Sequence, residues 1–177
     1  GVSSCATCDA PFFKNKSVIV AGGGNAALEE AMFLTQFASS VMIVHRRDSF
    51  RASEIMVERV KTNPKIKIVW NSTIEEILGD KKVTGAKIKD VNTNKITQVQ
   101  IDGIFVAIGR VPNTALFKGV LKLDEDGYII IQDEVKTEIE GIFAAGDVAD
   151  RTYRQAVIAS SSGVKAALAA REYLSTL

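Results

Sequence analysis

The stretch that most constrains this chain is residues 17–35. Ser17-Val18-Ile19-Val20-Ala21 is a β-branched run, Gly22-Gly23-Gly24-Asn25-Ala26-Ala27 follows at once, and Leu28, Ala31, Met32, Leu34 and Thr35 recur at helical spacing. A strand that enters a glycine turn and leaves as a helix has few ways to continue, because both elements must bury an apolar face. Val41-Met42-Ile43-Val44 supplies a neighbouring strand after the polar break Ser39-Ser40. The intervening helix is long enough for a crossover, so the two strands run parallel. A second helix from Ala52 to Lys61 stops near Asn63-Pro64, and Ile66 to Trp70 gives a third strand. The pattern predicts the βαβαβ half of a doubly wound α/β domain.

Alternation in Ile74 to Leu78, Lys82 to Lys89 and Ile96 to Ile101, with turn residues Gly79-Asp80 and Asn92-Thr93-Asn94, predicts a small antiparallel meander after the third strand. Ile104-Phe105-Val106-Ala107-Ile108 is nearly continuous in apolar residues, as a strand buried on both faces must be, and returns to the parallel sheet. The pattern loosens at Gly109-Arg110-Val111-Pro112-Asn113-Thr114, which predicts a boundary near residue 112. Beyond it we expect short strands at Tyr128 to Ile131 and Ile142 to Ala145, and an alanine-rich helix from Arg154 to Tyr173. That inventory is thin for an independent core. The expected domains are thus residues 1–112 and 113–177.

Composition narrows the function. Apolar residues at 46% and charged residues at 24% of the 177 positions argue against a disordered chain. Twenty-two Lys and Arg against 21 Asp and Glu leave a net charge of +1, without the basic excess of a nucleic-acid binder. No apolar run approaches a membrane span, and the start Gly1-Val2-Ser3-Ser4-Cys5 does not read as a signal segment. The two cysteines form Cys5-Ala6-Thr7-Cys8, too few and too close for a disulfide framework. A structural zinc would want four ligands, whereas the sole histidine is His45 and no second cysteine pair exists, so no metal site is expected. Two sulfurs so spaced can alternate between a dithiol and a small-ring disulfide. On spacing alone, an inert buried pair remains the alternative.

Gly22-x-Gly24-x-x-Ala27 fits the dinucleotide fingerprint of a Rossmann-like domain. One glycine makes the turn, one admits the pyrophosphate, and a small residue lets helix meet strand, while the free amides of the helix start hold the phosphates. At the end of the second strand an NAD site places an acidic residue for the ribose. This chain instead has His45-Arg46-Arg47 and then Arg51, cations that favour the 2′-phosphate of NADPH over a merely solvated arginine cluster.

Taken in order, Cys5-Ala6-Thr7-Cys8-Asp9, Gly22 to Ala31 and His45-Arg46-Arg47-Asp48-Ser49-Phe50-Arg51-Ala52 resemble the NADPH domain of low-molecular-weight thioredoxin reductases. Gly109 to Thr114 resembles that family's return crossover. Ala144-Ala145-Gly146-Asp147-Val148 and Tyr153-Arg154-Gln155-Ala156 resemble its second flavin-contacting segment. The resemblance covers essentially the whole chain and implies an NADPH-binding Rossmann-like domain carrying the redox pair, followed by the C-terminal part of a discontinuous FAD domain. It implies reduction of thioredoxin or a thioredoxin-like protein, with NADPH and FAD as cofactors. Cys5 would attack the partner, Cys8 would face the flavin, and Asp9 would move protons or cap the following turn. Gly22, Gly24, Asn25, Ala26, Ala27, His45, Arg46, Arg47, Arg51 and Gly109 would hold NADPH. Asp147, Arg154, Gln155 and Ala156 would contact FAD.

Only one glycine fingerprint is present, and the family uses two, so we expect a chain that begins inside a longer protein, retains little FAD alone and exposes apolar surface. Ser4, Ala10-Pro11 and Ala159 to Gly163 depart from the family pattern, which leaves the acceptor less constrained than the fold. The resemblance further implies a cytoplasmic homodimer. Two other functions remain open: the flavoprotein subunit of a peroxide-reducing system, or the reductase of a glutaredoxin-like protein, on one side; a non-catalytic NADPH-binding module whose CxxC senses redox state, on the other.

Overall fold

The computed structural model describes residues 1–177, which divide into two compact units, Gly1–Gly109 and Arg110–Leu177. The division precedes the expected one at residue 112, because the chain leaves the sheet once its last strand ends at Ala107.

In the first unit, strands β1 (Val2–Ser3), β2 (Ser17–Gly22), β3 (Ser40–Val44) and β4 (Ile66–Val69) belong to one sheet. It is completed by β8 (Gly103–Ala107), and every pairing is parallel in the order β1-β8-β2-β3-β4. Helix α1 (Ala6–Asp9) and a 3-10 turn at Ala10–Phe13 connect β1 to β2. Helix α2 (Asn25–Leu34) connects β2 to β3, and α3 (Glu54–Thr62) connects β3 to β4, as the periodicity predicts. The meander β5 (Ser72–Gly79), β6 (Val83–Asp90) and β7 (Ile96–Gln100) is a separate antiparallel sheet.

Parity along the strands explains the layering. Val18, Val20, Val41, Ile43 and Phe105 point to one side and pack with Leu28 and the other buried residues of α2. Ile19, Val44 and Ile104 point to the other side and pack with Ala86, Ile88 and Ile101 of the meander region. A sheet covered on both faces needs apolar residues at successive positions, which is why these strands read as unbroken runs. Gly103 opens β8 beneath the Phe13 ring, which a methyl there would strike, and Phe13 in turn meets Phe105 edge-on at 5.1 Å.

The second unit has less regular structure. The expected strands at Tyr128 to Ile131 and Ile142 to Ala145 do not form ladders. Only isolated bridges occur, Leu123 with Ile129 and Lys136 with Phe143. The backbone bonds of these segments go to several different partners: Ile129 N–H to Val148, Ile130 N–H to Lys122, Ala144 N–H to Val135. Leu121, Ile129 and Ala144 form a small buried cluster. Helix α4 (Ala156–Leu174) forms near its expected limits but buries no residue, and leaves Val157 80% and Leu168 50% exposed. No helix is long and apolar enough to cross a membrane.

Candidate functional site

The carboxyl ends of the parallel strands converge where the sheet order reverses, with β8 on one side of β2 and β3 on the other. Open α/β sheets bind ligands at such a switch point, and here it holds a cleft of about 770 Å³. The glycine turn forms its floor, and each glycine is there for a different reason. A side chain on Gly22 would strike the Ala107 carbonyl of β8 and lie 2.7 Å from the Ala27 methyl, so strand β2 meets its neighbouring strand and helix only because this residue has none. A side chain on Gly23 would collide with the His45 ring. Gly24 faces open space, with nothing nearer than the Arg51 carbonyl at 3.9 Å. It is the N-cap of α2, whose first amides have no partner within the helix. The space beside Gly24 is thus a cradle for an anion, which fits a nucleotide pyrophosphate.

Gly22, Gly24, Asn25, Ala26, Ala27, His45, Arg46, Arg51 and Gly109 all line this cleft. Arg47 is exposed and lies outside the lining. The loop that carries the arginines is tied to the glycine turn: Arg51 N–H donates to the Gly23 carbonyl at 2.8 Å, and Arg51 pairs with Gly24 in an isolated parallel bridge. His45 is 6% exposed, and its Nε2–H donates to the Ser49 carbonyl at 3.1 Å. Burial holds its pKa below 6.5; the Ser49 carbonyl opposes this, and Arg47, Arg51 and Arg46 add to the lowering. Glu75 and Glu76 line the far wall, where Lys87 pairs with Glu76 at 2.6 Å and offsets its charge. Among the neutral lining residues the motif reading passes over are Gly23 and the buried Ser72, whose hydroxyl donates to the Trp70 carbonyl at 2.8 Å.

Cys5 and Cys8 are joined as a disulfide. They follow β1, so the parallel topology sets them on the carboxyl edge of the same sheet. Cys8 is exposed and Cys5 half-buried, which removes the reading of two inert buried thiols. Cys5 is the N-cap of α1, and the Cys8 N–H points at the Cys5 sulfur from 3.2 Å. The Ser3 hydroxyl accepts from the Cys5 N–H at 3.0 Å. Asp9 stands at the N-cap of the 3-10 turn, but its side chain makes no capping bond there.

The remaining candidates lie in the second unit. Asp147 is exposed on a 3-10 turn, Gly146–Val148, that the Ser162 hydroxyl holds by accepting the Gly146 N–H at 2.9 Å. Gln155 is the N-cap of α4, and Ala156 opens the helix. Arg154 has a positive φ of 49°, held by Asp150, which accepts its N–H at 2.7 Å and those of Thr152 and Tyr153. Burial raises the Asp150 pKa, but the amides of Tyr153, Arg154 and Thr152 together bring it below the ordinary value. Asp150 is a further residue that motif reading missed, since an aspartate in a turn carries no signal until its partners are known.

Comparisons with known proteins agree with this geometry. A family model for pyridine nucleotide-disulphide oxidoreductases matches residues 1–163. The chain is 54% identical over 178 residues to the thioredoxin reductase of Rickettsia prowazekii, covering 98% of this chain and 57% of that protein. It is 49% identical to that of Streptomyces clavuligerus, covering 100% and 55%. The crystal structure of thioredoxin reductase from Streptococcus pyogenes superposes with a TM-score of 0.93 at 40% identity, over 100% of this chain and 58% of that one. Thioredoxin reductase from Giardia duodenalis gives 0.88 at 45%, over 99% and 58%. The chain thus spans a little over half the length of the curated relatives it matches. Because the family match runs through both compact units, from the disulfide to the middle of α4, this chain belongs to the pyridine nucleotide-disulphide oxidoreductases.

Proposed function

We propose that these 177 residues bind NADPH and carry the exchanging disulfide of a thioredoxin reductase, which works with FAD and reduces thioredoxin or a thioredoxin-like protein. The observation that supports this most is the pairing of a glycine turn and an arginine-bearing loop at one switch point, with the Cys5–Cys8 disulfide on the same edge of the sheet. When bound, NADPH supplies a hydride and FAD passes its two electrons to the disulfide. In this reading the amides of α2 and the space beside Gly24 receive the pyrophosphate, and Arg46 and Arg51 grip the 2′-phosphate, with Arg47 available from outside the cleft. The groups offered to FAD, Asp147 with Arg154, Gln155 and Ala156 at the start of α4, suit ribityl and ring contacts in kind.

Reduction adds two electrons and two protons across the Cys5–Cys8 bond and leaves two thiols. The Cys8 N–H beside Cys5 Sγ stabilises negative charge on that sulfur, which supports Cys5 as the nucleophile. The Cys5 thiolate attacks the partner disulfide, forms a mixed disulfide and releases one partner thiol. Cys8, its proton taken by Asp9, then attacks the mixed disulfide, re-forms the Cys5–Cys8 bond and releases the second partner thiol. We assign the whole protein to a cytoplasmic homodimer on the same reading.

The sulfur roles are testable without the flavin. A reduced Cys8→Ser chain, mixed with a thioredoxin whose single active-site thiol is capped by thionitrobenzoate, should release the yellow thiolate and form a mixed disulfide. The Cys5→Ser chain should do so far more slowly, and equal rates would overturn the assignment. In the whole reductase, Asp9→Asn should slow turnover by about 10²-fold, the lower range for a lost general acid–base; unchanged turnover would remove Asp9 from the chemistry.

A further inference from the structure

Two of the residues that line the cleft have their side chains engaged with the protein. Asn25 opens α2, and its Oδ1 accepts the backbone N–H of Ser53 at 2.9 Å. Ser53 is the N-cap of α3 and makes no side-chain cap of its own. His45 follows β3, packs its ring where a Gly23 side chain would stand, and donates through Nε2 to the Ser49 carbonyl. Phe50 and Trp70 flank that ring with centroids at 5.6 and 6.1 Å, and they meet each other at 4.3 Å. Between these two anchors, Arg51 N–H bonds the Gly23 carbonyl. The loop from His45 to Ser53 is therefore held to the glycine turn at its start by the His45 ring against Gly23, and at its end by the bonds from Arg51 and Ser53.

We propose that Asn25 and His45 are positioning residues that lock the arginine loop to the glycine turn, so that preference for a 2′-phosphorylated nucleotide depends on bonds that do not touch that phosphate. This rests on the reading of the cleft as an NADPH site. Arginine is long and has many rotamers, so a guanidinium meets a phosphate with good geometry only where its backbone is held. Two separate phosphate subsites are read together only if the distance between them is fixed. Asn25 sets it from the α2 side and His45 from the β3 side. The glycine turn could hold a pyrophosphate without either bond; the arginine loop needs both. The usual fingerprint leaves its middle position free, and the His45 ring explains why that position is glycine here.

The test compares binding of 2′,5′-ADP and 5′-AMP by calorimetry on the 177-residue chain, reading the ratio of the two affinities. Ser53→Pro removes the donated N–H together with a hydroxyl that makes no cap bond: the residue has φ −61°, which proline adopts, and it lies outside the cleft. It should lower the ratio about five- to tenfold, the effect of one lost hydrogen bond, while 5′-AMP affinity stays near wild type. Asn25→Ala and His45→Phe should lower the ratio likewise. Asn25→Asp keeps the acceptor and His45→Gln a donor, so each should recover most of it. An unchanged ratio in Ser53→Pro, or equal weakening of both nucleotides in Asn25→Ala and His45→Phe, would overturn the positioning role. A wild-type ratio near one would instead overturn the NADPH reading, and is seen before any variant is made.

Discussion

Gly22, Gly23 and Gly24 are chemically identical, and their surroundings separate them. Gly23→Ala drives a methyl into the His45 ring and should destabilise the fold by about 1–3 kcal/mol, the usual cost of overpacking. Gly24→Ala meets open space at an ordinary φ of −99°, so stability should change by no more than about 1 kcal/mol. Its methyl fills the phosphate cradle, so nucleotide affinity should fall most in that variant. Thermal melts set beside nucleotide titrations separate the two effects, and a Gly24→Ala chain that binds normally would contradict the cradle. His45 makes a second prediction. It is the one histidine of the chain, and its pKa is lowered in the fold, so between that value and about 6.5 the unfolded chain binds the proton more readily. The stability contributed by the neutral ring is complete above about 6.5 and is lost as pH falls through the lowered native value. Denaturant midpoints from pH 7.5 to 5.5 should therefore drop more in wild type than in His45→Gln. An equal drop would show that another group governs that window.

The parallel strands carry their layering in their parity, and the helices follow from it. Leu28 of α2 is fully buried among Val18, Val20 and Val41, so Leu28→Ala should cost about 2–5 kcal/mol, measured by denaturant melts. Val157 stands in the first turn of α4 in solvent, and Val157→Ala should leave the same melts nearly unchanged. A large loss there would mean that α4 is packed in solution. The two strands expected beyond residue 128 show the limit of this kind of reading: Ile129 and Phe143 are strand-forming residues, but each makes a single bridge because no continuous neighbour runs beside it. Strand propensity describes a residue that suits a sheet, and the partner has to be supplied from elsewhere.

The two compact units differ in what they can hold. Gly1–Gly109 builds three layers around a doubly covered sheet and includes the whole cleft. Arg110–Leu177 offers Asp147 and the start of α4 from a unit whose long helix buries nothing. The purified 177-residue chain should therefore bind NADPH and retain no stoichiometric flavin. Absorbance near 450 nm after gel filtration with added FAD checks this, and a stable one-to-one yellow complex would contradict it. A little over half the length of its relatives is represented.

Local signals make much of this molecule legible in its sequence. Strand, glycine turn and helix are properties of neighbouring residues, and the alternation of Val18, Ile19 and Val20 already implies two covered faces. The arginine-bearing loop and the CxxC pair are legible for the same reason, since their spacing along the chain is short. Other features depend on residues far apart in sequence meeting in space: Asn25 with Ser53, Gly23 with His45, Arg46 inside the cleft and Arg47 outside it. Periodicity is a sum over adjacent side chains and carries no record of such meetings. Packing alone brings them about, and with them the link between the glycine turn and the arginine-bearing loop.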